Sequence, residues 1–265
     1  MTKEDLFAKL KQAQKDSWSY FYKLENITIP PAGLLVDFVN VKPHQKILDV
    51  ACGTGVVALT AARKGAVVSG IDLSPLLIER AKENVRISEN HIDFREGDVE
   101  SLPYPDHSFD MVLSQFGHMF APRPDIAISE MLRVLKPGGC IAFSTWPPEL
   151  FVGASFKLLG KYLPSPPVEI PASTLWGEPK TICERLGERV TDIRFDRRIN
   201  RPGFLSVKHA REIFESTLTS FCSKLAIDDP KKLALFRTEY ETIISSYMKG
   251  NILEQHFLMT KAIKK

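Results

Sequence analysis

Five positions in this chain could do chemistry together: Asp49, Gly53, Gly55, Asp72 and Asp98. The two glycines close the run Leu48-Asp49-Val50-Ala51-Cys52-Gly53-Thr54-Gly55, which begins in an apolar strand, Ile47 to Val50, and leads into a helical stretch of about ten residues. A second apolar strand then ends on Asp72. Glycines let a backbone turn tightly and come close to a ligand, and a helix N-terminus offers unpaired N–H groups. An acid at the tip of the next strand can accept both hydroxyls of a ribose. This spacing therefore predicts a nucleotide-like ligand, and two ligand classes fit it. Gly53-Thr54-Gly55-Val56-Val57-Ala58 also matches the G-x-G-x-x-A dinucleotide pattern, with Asp72 seventeen residues beyond Gly55, close to where an NAD-binding acid would sit.

Asp49 helps to separate the two. It precedes the first glycine by four residues, at the mouth of the expected crevice, where a carboxylate repels a pyrophosphate and attracts a cation. S-adenosylmethionine offers a ribose as NAD does, but it carries an ammonium and a sulfonium and no phosphate. The run 48–55 resembles the first motif of the class I S-adenosylmethionine-dependent methyltransferases, with Ala51 where a glycine is common. A second mark is the turn Leu135-Lys136-Pro137-Gly138-Gly139 before the fifth strand. The stretches Phe116 to Pro122 and Glu130 to Gly139 are similar to the methyltransferase type 11 group, relatives of the ubiquinone and menaquinone C-methyltransferases. The resemblance covers residues 40 to 146.

That resemblance implies S-adenosylmethionine as cofactor, S-adenosylhomocysteine as product, and a small-molecule acceptor methylated on carbon, oxygen or nitrogen. The cofactor residues it implies are Asp49, Ala51, Cys52, Gly53, Thr54, Gly55, Asp72, Leu73, Asp98, Val99, Ser114, Gln115 and Phe116. Among them Asp72 would take the ribose, Asp98 the adenine amino group and the Val99 amide the ring. The backbone near Ser114 and Gln115 would meet the methionine ammonium. His118 and Met119 should look toward the methyl group, and His118 is a candidate general base, although a lone histidine beside aromatics also reads as an orienting or packing group. Trp18, Tyr22, Trp146 and Trp176 are further candidates for the substrate pocket. The rings of the N-terminal arm either pack it onto the domain or cover the site as a lid, where they would suit a sulfonium. Relatives that methylate nucleic-acid amino groups carry an Asn/Asp-Pro-Pro-aromatic signature after the fourth strand, where this chain has Ser114-Gln115-Phe116-Gly117, so no nucleic-acid partner is expected.

The elements that must position these residues follow from the pattern along the chain. Helices are predicted over residues 3–24 and 32–40, with Pro30-Pro31 breaking the chain between them, and from Pro75 after an N-cap at Ser74. Strands follow at 92–96, 109–113 and 140–146, with a helix at 124–135. Beyond these come a helix at 151–163, a proline-rich stretch Leu163 to Pro171, a helix at 179–186 and a strand at 190–199. Helices at 207–225 and 231–248 and a last strand at 251–263 complete the chain. The fold class predicted is α/β: a doubly wound, Rossmann-like sheet of seven mostly parallel strands, the last antiparallel, with helical cap insertions. One domain is expected over 1–265, comprising an arm or lid (1–40), a cofactor-binding core (41–146), a lid insertion (147–189), and the last two strands with an inserted helical pair (190–265).

Composition narrows the function classes. A net charge of +3 is too small to imply nucleic acid by itself, and Arg194, Arg197, Arg198 and Arg201 read as a solvated strand face. No window approaches the roughly 18 apolar residues of a membrane span, and the N-terminus lacks a signal-peptide pattern, so a cytoplasmic location is expected. The four cysteines, at 52, 140, 183 and 222, form no C-x-x-C pair, so neither a zinc site nor a disulfide framework is predicted. All but Cys52 read as buried reduced thiols. Two alternatives stay open at this level: a non-catalytic binding module that keeps the fold, and an NAD(P)-dependent oxidoreductase.

Overall fold

The computed structural model describes residues 2–88, 91–163 and 168–265. Its first elements are helices α1 (Lys3–Trp18) and α2 (Glu25–Phe38), then β1 (Lys46–Val50), α3 (Val56–Ala62), β2 (Val67–Asp72), α4 (Pro75–Ser88), β3 (Asp93–Glu96) and β4 (Phe109–Gln115). There follow α5 (Pro124–Val134), β5 (Leu135–Thr145), α6 (Phe151–Tyr162), α7 (Pro179–Leu186), β6 (Val190–Asn200), α8 (Val207–Glu215), α9 (Thr219–Asp228) and α10 (Pro230–Tyr247). A small hairpin of β7 (Met248–Lys249) and β8 (Ile252–Leu253) leads to β9 (Gln255–Lys264). The centre of the expected proline-rich stretch, 164–167, lies outside the described residues.

Seven strands form one sheet in the order β3-β2-β1-β4-β5-β9-β6. The pairs β1–β2, β1–β4, β2–β3 and β4–β5 are parallel, and β9 runs antiparallel to both β5 and β6. The architecture is the predicted doubly wound sheet with its last strand reversed. Ile47, Leu48, Val50, Val112 and Leu113 are wholly buried, as strands covered by helices on both faces must be. Strand order reverses between β1 and β4, so their carboxyl ends open a crevice at the position where such sheets hold ligands.

Three local expectations change. Pro30 and Pro31 do not break the chain; both lie inside α2. A proline inside a helix lacks one N–H and removes an i→i−4 bond, which leaves the Ile27 carbonyl without its helical donor at Pro31. The side-chain amide of Asn200 donates to that carbonyl at 2.8 Å, and the amide of Gln115 donates to the Thr28 carbonyl at 2.8 Å. The expected 207–225 helix divides into α8 and α9 because Ser216, Thr217 and Thr219 turn their hydroxyls onto the carbonyls of Ile213, Phe214 and Ser216, the local competition that ends helices. At the start of α4 the Ser74 carbonyl accepts from Ile78, but its buried hydroxyl makes no hydrogen bond and is no side-chain cap.

Two apolar clusters form. The larger fills both faces of the sheet. The smaller joins α6, α8 and α10 through Phe151, Leu158, Phe214, Phe236, Tyr240 and Ile244. Beside it, Glu215 receives the guanidinium groups of Arg211 and Arg237 at 2.9 and 3.0 Å. Among the described residues no helix is long and apolar enough to cross a membrane. Of the cysteines, Cys52 and Cys140 are buried, Cys222 is partly buried and Cys183 is exposed. The expectation thus fails at Cys183, on the outer side of α7; Cys52, left out of it, is buried as well.

Candidate functional site

The glycine loop takes its shape from backbone conformations that side chains resist. Gly53 and Gly55 have φ of 54° and 80°, in the left-handed region, where glycine carries no Cβ penalty. A Cβ on Gly55 would also meet the Phe94 ring at 2.6 Å. Ala51 is left-handed as well, at φ 51°. Its methyl group lies where a Cβ on Gly117 would stand, 2.5 Å away, so Gly117 at the exit of β4 is what lets the chain carry alanine at position 51.

The loop and the β4 exit enclose a crevice of about 1000 Å³, counting its open mouth, within the size range of small-molecule sites. Of the residues singled out from sequence, its walls include Asp49, Ala51, Cys52, Gly53, Thr54, Asp72, Leu73, Asp98, Val99, Gln115, Phe116 and Trp18. Gly55 lies behind the loop and Ser114 behind the wall. The Ser114 hydroxyl donates to the Val50 carbonyl at 2.7 Å and accepts from the His118 amide at 3.2 Å, tying β4 to β1.

Asp72 is anchored from two sides. Its Oδ2 accepts the Gly53 N–H and its Oδ1 the Ser74 N–H, both at 2.8 Å. Burial raises its pKa, and the backbone donors of Ser74, Gly53 and Leu73 act against that rise. Asp49, 1% exposed, accepts the Ala58 N–H at 2.9 Å through Oδ2, while its Oδ1 has no partner. Burial pushes its pKa up to about 8, with the Asp72 charge adding to the rise. Cys52 is held as a thiol far above its ordinary range, first by burial and then by the charges of Asp49 and Asp72.

His118 is not where a general base would stand. It is wholly buried away from the crevice, its ring centroid 4.6 Å from Phe143 and 4.8 Å from Trp176, and neither ring nitrogen has a hydrogen-bond partner. Burial, with the nearby Arg185 charge, lowers its pKa to about 3, so it is a neutral packing group. Met119 is buried beside it and also off the crevice. Trp176 lies under the Arg185 guanidinium, 4.4 Å from the ring centroid, and is 1% exposed; it is core. Trp146 stacks on Phe116 with centroids 3.8 Å apart, supporting the wall from behind. Tyr22 points to solvent. Four of these five assignments to the reacting end are corrected by one cause: large apolar and aromatic surface is drawn into the core wherever a cavity does not need it. Tyr22 departs the other way, out to solvent.

The crevice also uses residues the pattern did not reveal. Lys11 and Gln14 join the expected Trp18 on one face of α1, at the i, i+3, i+7 spacing of a helix. Phe21, Glu25, Thr28, Gly97, Gly117 and Phe120 complete much of the remainder. The α1 face runs Phe7, Lys11, Gln14, Trp18, mixing apolar and polar residues, so it leaves no hydrophobic stripe to notice.

The residues present fit S-adenosylmethionine. Two acceptor atoms at the crevice, Asp49 Oδ1 and Gln115 Oε1, lack donors, and an ammonium supplies donors. Four carboxyl groups, Glu25, Asp49, Asp72 and Asp98, line the same cavity; a cation brought to Asp49 favours its ionised form, so the arrangement suits a cation better than a pyrophosphate.

Comparison with known proteins points the same way. A family model described as a methyltransferase domain matches residues 48–143. An uncharacterized protein of Mycobacterium tuberculosis is 30% identical over 254 residues, 93% of this chain and 91% of its own length. Demethylmenaquinone methyltransferase of Renibacterium salmoninarum is 42% identical over 106 residues, 40% of this chain and 43% of that protein. Among solved structures, the YcgJ protein of Bacillus subtilis aligns with a TM-score of 0.58 at 18% identity, over 88% of this chain and 97% of that one. An S-adenosylmethionine-dependent methyltransferase of Thermotoga maritima aligns with a TM-score of 0.54 at 15% identity, over 94% and 100%. At those identities the two structures speak for the fold, while the sequence matches speak for the family. With a crevice whose lining fits a cationic nucleoside and a methyltransferase-domain match that covers its glycine loop and β4 exit, the chain belongs to the class I S-adenosylmethionine-dependent methyltransferases, with S-adenosylmethionine as its cofactor.

Proposed function

We propose that this enzyme methylates a small-molecule acceptor, on carbon, oxygen or nitrogen, at the end of the crevice covered by the N-terminal arm. The observation that supports this most is the outer wall: Trp18, Phe21 and Phe120 close over the crevice, with Trp18 and Phe120 centroids 4.6 Å apart and Phe21 edge-on to Trp18 at 5.8 Å. Rings at that position suit a compact, partly apolar acceptor. The quinone named for the Renibacterium relative is not carried over, because the match covers the cofactor core and not the caps.

When bound, S-adenosylmethionine supplies a methyl group on a sulfonium, open to in-line displacement by the acceptor. The chain's own contribution is positioning. Asp72, fixed by Gly53 and Ser74, would accept the ribose hydroxyls. Asp49 Oδ1 and Gln115 Oε1 would accept from the ammonium. Asp98 and the Val99 amide would hold the adenine. The aromatic wall excludes water, which favours a reaction in which charge disperses, and holding two reactants in contact is worth effective molarities on the order of 10⁵ M or more. With His118 buried among rings, no histidine base is assigned.

The test is incubation of the enzyme and S-adenosylmethionine labelled on its methyl group with a cell extract divided by molecular size. The label is expected in the low-mass fraction, released by the enzyme and absent without it. Label confined to protein or nucleic acid would overturn the small-molecule reading while leaving methyl transfer intact.

A further inference from the structure

The contacts of α1 concentrate on the loop that carries Asp98. Lys11 Nζ reaches both Asp98 Oδ2 and Glu100 Oε2. The Glu100 side chain is fully buried, the Lys11 side chain is 14% exposed, and Glu100 also takes the Arg123 Nε and N–H at 2.7 Å. Lys15 pairs with Glu96, Arg123 pairs with Glu4 at 2.8 Å, and Gln14 donates to the Phe120 carbonyl at 3.0 Å. Within α1 only Phe7 is buried, so the helix is held chiefly by charge. Asp98 Oδ1 is occupied by the Glu100 N–H at 2.9 Å, which leaves one lone pair on each carboxylate oxygen. Lys11, Gln14 and Trp18 wall the crevice and do not fill it, so the docked arm and a bound ligand are compatible.

We propose that Lys11 is a positioning residue for the adenine end of the cofactor: docking of α1 brings its ammonium onto Asp98, fixing that carboxylate to receive the adenine amino group. This rests on the reading that Asp98 takes that amino group. Arm docking and cofactor binding are then one coupled equilibrium, because a ligand that gains a contact from the docked arm must in turn stabilise the docked state. A lysine that only pinned the arm to the surface would affect all ligands of the crevice alike. One that orients Asp98 affects the ligand with the amino group most.

The probes are S-adenosylhomocysteine and S-inosylhomocysteine, in which an oxo group replaces the adenine amino group, titrated calorimetrically. Wild type is expected to prefer the adenosyl compound. Lys11→Met, which leaves the Asp98 carboxylate unfixed, should weaken it about tenfold, with much less effect on the inosyl compound, and Lys11→Arg should restore most of the preference. Hydrogen exchange on wild type needs no variant: amides of residues 3–18 should gain protection when S-adenosylhomocysteine binds. If wild type discriminates between the compounds and Lys11→Met discriminates equally well, Lys11 is no more than a surface latch and the proposal fails. Unchanged exchange in residues 3–18 would likewise overturn the coupling. If wild type binds both compounds equally, the Asp98 reading itself falls and takes the proposal with it.

Discussion

At the scale of single residues, the state of Asp49 has a measurable consequence. With a pKa near 8 when no ligand is bound, its carboxyl keeps its proton at neutral pH. An ammonium brought to the empty Oδ1 favours the carboxylate, so ligand binding should expel that proton. Calorimetric titration of S-adenosylhomocysteine at pH 7, in buffers of differing ionisation enthalpy, is expected to show release approaching one proton for wild type and none for Asp49→Asn. Affinity should rise toward pH 8 by up to ~tenfold per pH unit, and proton uptake would contradict the placement. Asp72→Ala should abolish measurable binding of the same ligand; near-normal affinity would remove the ribose assignment. His118 acts in the opposite sense to Asp49. Its folded pKa, about 3, lies below the ordinary 6.5, so between those values the unfolded chain binds the extra proton. The stability tied to a neutral His118 is full above pH 6.5 and is lost as pH falls toward 3, with a slope of ~1.4 kcal/mol per pH unit at most. His118→Phe should therefore lose less stability than wild type between pH 7 and pH 5 in urea titrations. His118→Ala should slow turnover less than about tenfold at the pH optimum, where a general base would contribute 10²-fold or more.

At the scale of elements, α2 shows how distant side chains rescue a helix. Asn200, on β6, also approaches Gln255 Oε1 at 3.1 Å, and its bond to Ile27 serves a carbonyl orphaned by Pro31. Asn200→Leu should cost about 1–3 kcal/mol in urea unfolding, the penalty of a buried carbonyl left unpaired; no loss would mean that water serves that carbonyl. The example also shows where legibility stopped. The strands and the glycine loop were readable because apolar runs, glycines and an acid at a strand tip report local constraints, while the reversal of the last strand came only with the family resemblance. The continuation of α2 past Pro31 draws on Asn200, which is far away in sequence. The partnership of Ala51 with Gly117 is likewise a contact between distant positions. The aromatic residues misled for a related reason. Sequence places His118 and Trp146 close to the β4 and β5 exits and Trp176 in the insertion that follows, but not toward which side of the sheet each ring turns, and the core claimed all three.

At the scale of the molecule, the sheet positions one crevice at its switch point, and three separate parts of the chain meet there: the loop after β1, the exit of β4 and the arm α1. The caps built on α6, α8 and α10 keep their own apolar core and touch the crevice indirectly. Phe156 of α6 packs edge-on against Phe120 at 5.5 Å, and Lys23 donates to the Ser216 carbonyl at 3.2 Å. Variation in the caps can therefore reshape the acceptor end without disturbing the cofactor end, which accords with a relative whose similarity is confined to 106 residues. The central claim, that the crevice is built for a cationic nucleoside and not for a dinucleotide, is tested most directly by thermal unfolding of the purified protein with S-adenosylmethionine, S-adenosylhomocysteine, NAD or NADP. A ligand at a hundredfold excess over its dissociation constant stabilises by about 2.7 kcal/mol. Tm is expected to rise clearly with the first two and not with the dinucleotides. A rise with NAD or NADP and none with the sulfur nucleosides would contradict that claim.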